Sequence, residues 1–167
     1  MDGRDSWEFY QRKGEGIRIA MQARSRANNY RDFKVGASVL YRRGRRFNWT
    51  DGSNWMPTKG GLKMCAEREA LLDAYSSRGD EIIAIVVVGS YQPDDYSGKT
   101  SRTLHPCKGC RELIQTLRID PDAIILTLRA DWSRDDNIWS LGGYPFEQRT
   151  VRKLLEYHQS HPNGNGV

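Results

Sequence analysis

The stretch IIAIVVVG, residues 82–89, restricts the possible folds of this chain more than any other. A strand with one face in water alternates polar and apolar side chains. An unbroken apolar run rich in β-branched residues instead marks a strand covered on both faces. AIILTL (123–128) reads as a second such strand and FKVGASVLY (33–41) as a third, which turns at Gly44 into a polar strand around Phe47 to Thr50. A weaker strand is expected at 136–141.

Helical periodicity fills the gaps. Residues 7–28 place Ile17, Ala20, Met21 and Ala27 on one face, interrupted by Arg24. KMCAEREALLDAY (63–75) gathers Ala70, Leu71, Ala74 and Tyr75, with Gly79 as a stop. HPCKGCRELIQTL (105–117) turns Leu113, Ile114 and Leu117 inward, and FEQRTVRKLLEYHQ (146–159) reads as the last helix. This alternation predicts the α/β class: a three-layer α/β/α sandwich around a mixed sheet of about five strands. With no repeat and no linker in view, residues 1–160 are expected to form one domain and 161–167 a disordered tail. Segments 50–61 and 90–104 are polar loops, the second either a cover over a site or a mobile connection.

The size suffices for a sizeable core: the chain has 167 residues, 38% of them apolar. No apolar run approaches the roughly 20 residues of a membrane span, and the first residues lack the apolar stretch of an export signal. The expected location is the cytoplasm. A net charge of +5 admits an anionic partner without requiring one. The densest basic cluster, Arg42, Arg43, Arg45 and Arg46 around Gly44, reads first as a solvated hairpin tip and second as a phosphate or nucleic-acid contact. No basic stripe interleaved with aromatics accompanies it, so nucleic acid is not the expected partner.

The three cysteines, Cys65, Cys107 and Cys110, are an odd number and argue against a disulfide framework. Both cysteine clusters open a helix, and sites in such sheets collect where strands end and helices begin. Cys107 and Cys110, three residues apart on a first turn, direct their sulfurs the same way, and Cys65 can complete a trigonal base. Three protein ligands leave tetrahedral zinc one open corner, the catalytic arrangement. His105 as a fourth ligand would make an unusual bite, two residues before Cys107. Helix N-termini favour thiolates, yet three thiolates would blunt the metal's power to acidify water. Arg68 is placed to donate hydrogen bonds to the sulfurs and offset that charge. Glu67, beside the open corner, can take a proton from water there and hand it on. Taken singly, C-x-x-C also fits structural zinc or a redox pair, and Glu67 a favourable first-turn charge. C-A-E-R joined to P-C-x-x-C-R is the stronger signal.

FKVGASVL (33–40), CAEREA (65–70), the strand 82–89 and PCKGCREL (106–113) together resemble the small free-standing cytidine deaminases and the blasticidin-type deaminases, from the first helix to about residue 128. The resemblance implies zinc held by Cys65, Cys107 and Cys110, Glu67 as proton shuttle, and Arg68 neutralising thiolate charge. It further implies that the Ala66 amide faces the substrate carbonyl and that Phe33 lines the base pocket, a position where strand packing is an equal alternative. The implied reaction is hydrolytic: water adds to the amine-bearing ring carbon, Glu67 protonates the ring nitrogen, and ammonia leaves. In cytidine deaminases an N-x-E segment before C-A-E grips the ribose. Here Asn54 is present but Met56 stands in the carboxylate's place. A thioether accepts hydrogen bonds weakly, which weakens discrimination for a ribose hydroxyl. Pro57 stiffens this loop, while Trp49 and Trp55 flank it, either stacking on a flat ring or packing in the core. Phe146 matches an aromatic that in the family reaches a neighbouring subunit, and the resemblance implies a homotetramer. The expected substrate is an amino-heterocycle, with cytidine or deoxycytidine as parent. A modified nucleoside or nucleoside antibiotic is the alternative, ahead of nucleic-acid editing or a non-enzymatic zinc module.

Overall fold

The β-branched segment expected to be covered on both faces lies at the centre of a sheet. In a computed structural model of the chain, which describes residues 3–29, 33–90, 105–130 and 146–160, the elements run in the following order. They are α1 (Gly3–Ser25), β1 (Asn28–Asn29), β2 (Val35–Arg43), β3 (Arg46–Ser53), β4 (Trp55–Met56), α2 (Ala66–Ser76), β5 (Glu81–Gly89), α3 (Lys108–Thr116), β6 (Ile124–Arg129), β7 (Phe146–Thr150) and α4 (Val151–Ser160). Five strands form one sheet in the order β3-β2-β5-β6-β7. Only β5 and β6 pair in parallel, so the sheet is mixed, as expected.

Successive residues of a strand point to opposite faces, and both faces of this sheet are dry. On one, Val39 and Tyr41 of β2, Ile85 and Val87 of β5 and Ile125 of β6 pack against Ala70, Leu71 and Ala74 of α2, Ile114 of α3 and Leu154 of α4. On the other, Leu40, Ile83, Val86, Val88 and Leu126 pack against Phe9, Ile17 and Ala20 of α1. The three layers follow from this division. Each fully buried Leu, Ile or Val contributes about 1.5–3 kcal/mol, so the central strands carry most of the fold. Arg24, the break in the α1 stripe, sends its guanidinium to the Lys34 carbonyl (3.2 Å) and to Ser90 Oγ (3.4 Å).

One glycine decides how close α2 lies to the sheet. A Cβ at Gly52 would stand 2.3 Å from the Ala66 carbonyl oxygen and 2.7 Å from the Ala70 nitrogen. Thr50, on the same strand, donates its hydroxyl to the Ala70 carbonyl at 2.8 Å. The first turn of α2 therefore rests on the backbone of β3.

Three expectations need correction, the first being Tyr75, expected on the apolar face of α2 but exposed at its far end. The predicted helix over 146–159 divides: 146–150 is β7, antiparallel to β6 with Ile124 opposite Thr150, and only 151–160 is helical. The buried apolar positions of this segment, Val151 and Leu154, both follow the break. Before it, β6 presents an open edge whose backbone groups need partners. Thr150 Oγ1 then accepts the Lys153 N–H at 3.2 Å, as a helix N-cap does. The loop expected over 50–61 is likewise shorter, since β3 runs to Ser53 and Trp55–Met56 pairs in parallel with Asn28–Asn29. The expected strand at 136–141, most of the 90–104 loop and the 161–167 tail lie outside the described residues.

The basic cluster is the β2–β3 hairpin tip, with Arg43 opposite Arg46. Arg42 leaves the tip to pair with Glu81 and, at 3.7 Å, with Asp5. Among the described residues no helix is long and apolar enough to cross a membrane.

Candidate metal centre

Cys65 and Cys107 each occupy the cap position at the start of a helix, α2 and α3, in extended backbone conformation. A serine or aspartate there would turn its side chain back onto the first-turn amides. Neither cysteine does so, and both sulfurs point outward toward each other. Cys65 Sγ lies 3.6 Å from Cys107 Sγ, and Cys107 Sγ lies 3.5 Å from Cys110 Sγ. All three fall within 4.8 Å of one another, the only such metal-capable group among the described residues. Zinc–sulfur bonds of about 2.3 Å in a tetrahedron space their sulfurs about 3.8 Å apart. The trio thus fits one zinc ion with little rearrangement, and an all-thiolate tetrahedral donor set suits zinc.

The electrostatics of the bare sulfurs make the same point. Hydrogen bonding with Cys110 and then with Cys65 pulls Cys107 well below the thiol range. The bond to Cys107 pushes Cys65 up to about 12, and the same neighbour raises Cys110, with burial adding to both. One sulfur ionises easily and the other two do so only at a penalty. A bound cation removes that penalty and lets all three serve as thiolates.

Glu67, the second residue of α2, is 5% exposed. Desolvation, then the neighbouring Cys107 charge, pushes its carboxyl up to about 7. Its own backbone amide, Lys63 and Arg68 act in the opposite direction. Ala66, fully buried, opens the helix with its amide among the first-turn donors. Arg68 reaches across to α3: its Nη2 lies 3.0 Å from where a Cβ on Gly109 would stand. Glycine between the two cysteines of C-x-x-C therefore leaves room for a guanidinium on the first turn of α3.

Other positions singled out from the sequence resolve differently. His105 does not join the sulfurs. Its Nδ1 faces His158 Nε2 at 3.2 Å and its Nε2 faces Glu147 Oε2 at 2.9 Å, so both ring nitrogens are engaged elsewhere. Asn54 is buried, with Oδ1 accepting the Val35 N–H (2.8 Å) and Nδ2 donating to the Phe33 carbonyl (2.7 Å). It braces the entry to β2 with both ends of its amide. Phe33 is half-buried against the core face that α2 and α3 cover. Trp49 packs on the opposite face, over Gly16 of α1, and donates to Glu15, so of the two tryptophans only Trp55, 43% exposed, remains beside the Asn54 loop. Lys63 was missed from the sequence, although its place two residues before Cys65 was a signal. Its charge favours the ionised forms of both Glu67 and Cys107.

Residues 11–126 match the family described as the cytidine and deoxycytidylate deaminase zinc-binding region. A cytidine deaminase from Halalkalibacterium halodurans is 36% identical over 102 residues, spanning 60% of this chain and 68% of that protein. The 1.6 Å crystal structure of cytidine deaminase from Burkholderia pseudomallei superposes with a TM-score of 0.61 at 26% identity, covering 84% of this chain and 93% of the other. A mutant cytidine deaminase from Mycobacterium tuberculosis gives 0.55 at 25% identity, covering 83% and 90%. The matched region contains β2, α2 and α3 and all three cysteines. The chain therefore belongs to the cytidine and deoxycytidylate deaminase zinc-binding family and is a zinc-dependent hydrolytic deaminase.

Proposed function

We propose that the chain releases ammonia from a small amino-heterocycle, with cytidine or deoxycytidine as parent substrate, at a zinc site held by Cys65, Cys107 and Cys110. The observation that carries this reading is the meeting of three sulfurs at zinc spacing with a buried carboxyl at the start of α2, the helix that Cys65 opens. When bound, zinc supplies a Lewis acid that makes water nucleophilic near neutral pH. The protein supplies the rest. A dry carboxyl whose pKa is raised by burial can both take and return a proton. Glu67 accepts one from the attacking water, delivers it to the ring nitrogen, and assists departure of the amine as ammonia. The Ala66 amide orients the substrate carbonyl, Arg68 balances thiolate charge from across Gly109, and Phe33 and Asn54 bound the ring pocket.

A second reading keeps this chemistry and changes the substrate. Met56 offers a thioether at the sugar-binding position, and the Asn54 amide is already tied to the Phe33 and Val35 backbone. Both features favour a modified nucleoside or another amino-heterocycle that asks little of a ribose contact. We place the protein in the cytoplasm as a homo-oligomer, a tetramer by its resemblance. The half-exposed Phe146 and the exposed Leu72 and Tyr75 of α2 support an assembled form. Light scattering on the purified protein tests the assembly.

The functional test is ammonia release by zinc-loaded protein from cytidine, deoxycytidine, cytosine, a cytidine nucleotide, a blasticidin-like compound and a single-stranded oligonucleotide. Fast turnover of cytidine supports the first reading, and preference for another small heterocycle supports the second. Zinc-loaded protein that releases ammonia from none of them would refute both.

A further inference from the structure

Behind the sulfurs lies a buried polar set that the deamination chemistry does not use. His105 begins the three-residue approach to α3, and its side chain is almost fully enclosed. Glu147 of β7 meets its Nε2 at 2.9 Å, and His158 of α4, itself buried, meets its Nδ1 at 3.2 Å. Arg149 holds Glu147 at 3.0 Å and lies 4.5 Å over the Tyr157 ring. Tyr157 in turn packs edge-on against His105, with ring centroids 5.5 Å apart. His105 can donate from Nε2 to the Glu147 carboxylate while its Nδ1 accepts from His158 Nε2.

Such a set is demanding to build, because a buried polar group left without its partner costs about 1–3 kcal/mol. Its position gives the reason. Only Pro106 separates His105 from Cys107, and the proline ring fixes one of the few backbone torsions between them. Arg111 Nη1 donates to the Pro106 carbonyl at 2.7 Å, and on the other side the Arg111 N–H donates to the Cys107 carbonyl at 2.9 Å. Cys107, the sulfur within 3.6 Å of both others, thus sits in a segment pinned at each end.

We propose that Glu147 and His158 are positioning residues: by clamping His105 they set the backbone that aims Cys107 at the metal, coupling β7 and α4 to zinc retention. This rests on the three-cysteine zinc site above. Partners one bond behind a ligand change metal affinity by about 10–100-fold, and these act through one further residue, so an effect of about tenfold is expected.

The test measures zinc release into excess chelator from wild type, His158→Phe, His158→Gln, Glu147→Ala and Glu147→Gln. The cobalt(II) absorption spectrum and the melting temperature of each zinc-free protein are recorded alongside. His158→Phe and Glu147→Ala should release zinc about ten times faster and alter the cobalt spectrum. The glutamine variants, which keep a donor or acceptor in place, should recover most of the wild-type rate. A zinc-holding wild type whose Phe and Ala variants melt lower but release the ion at the wild-type rate overturns this proposal alone. A wild type that holds no zinc overturns the metal site and this proposal with it. Should His158→Phe fail to fold, the Glu147 pair decides in the same way.

Discussion

Gly52→Ala should do more damage than a single methyl group suggests. The new Cβ would sit 2.3 Å from the Ala66 carbonyl oxygen and 2.7 Å from the Ala70 nitrogen, both backbone atoms that no rotamer change can move aside. An ordinary carbon–oxygen contact needs about 3.4 Å, so α2 must retreat from β3 by about 1 Å. Overpacking of this kind costs about 1–3 kcal/mol, or about 2–4 °C of melting temperature per kcal/mol in a chain of this size. The first turn of α2 carries Cys65, Ala66 and Glu67. A misplacement of about 1 Å at reacting groups lowers turnover by about a hundredfold, so kcat/KM should fall further than stability does. Gly14→Ala is the paired control. It is the same chemical change in the interior of α1, where a Cβ meets nothing within 4 Å, and it should stabilise by about 0.5–1 kcal/mol and leave turnover alone. Thermal melts and ammonia-release kinetics on both variants suffice. A Gly52→Ala protein with the melting temperature and kcat/KM of the wild type would refute the close docking of α2 on β3.

Glu67→Gln should keep stoichiometric zinc, read by metal analysis, while losing about 10²–10⁴-fold in turnover. Zinc removal should expose a pH dependence of stability measurable by urea denaturation at pH 5 and pH 8. In the zinc-free fold Glu67 binds its proton more tightly than the unfolded chain does, about 7 against 4.5. That contribution is full below about 4.5 and gone once the pH passes about 7, a loss on the order of 3 kcal/mol that Glu67→Gln should abolish. Thr150→Ala removes the acceptor for the Lys153 N–H and should lower stability by about 1 kcal/mol in a denaturant titration.

Legibility in the sequence followed the range of the interaction concerned. Residues 82–89, buried almost throughout, announced a central strand because every side chain there met an apolar layer. The cysteine-bearing helix starts were readable from local spacing, to within three residues. β7 was not, because its exposed and half-exposed residues carry no apolar run and its identity comes from pairing with β6. The apolar period of α4 therefore spread backward over a strand. The His105 clamp escaped for a related reason: its partners lie 42 and 53 residues away, and no local pattern ties a histidine to them. Asn54 matched a family position, but its amide turns onto the Val35 and Phe33 backbone, contacts 19 and 21 residues away that no local pattern carries.

X-ray absorption at the zinc edge of the purified protein bears most directly on the role assigned to the cysteines. The spectrum should show one zinc per chain with three sulfur neighbours at about 2.3 Å and one lighter neighbour at the open corner. A protein without bound zinc, or a zinc with fewer than three sulfur neighbours, contradicts the site built from Cys65, Cys107 and Cys110.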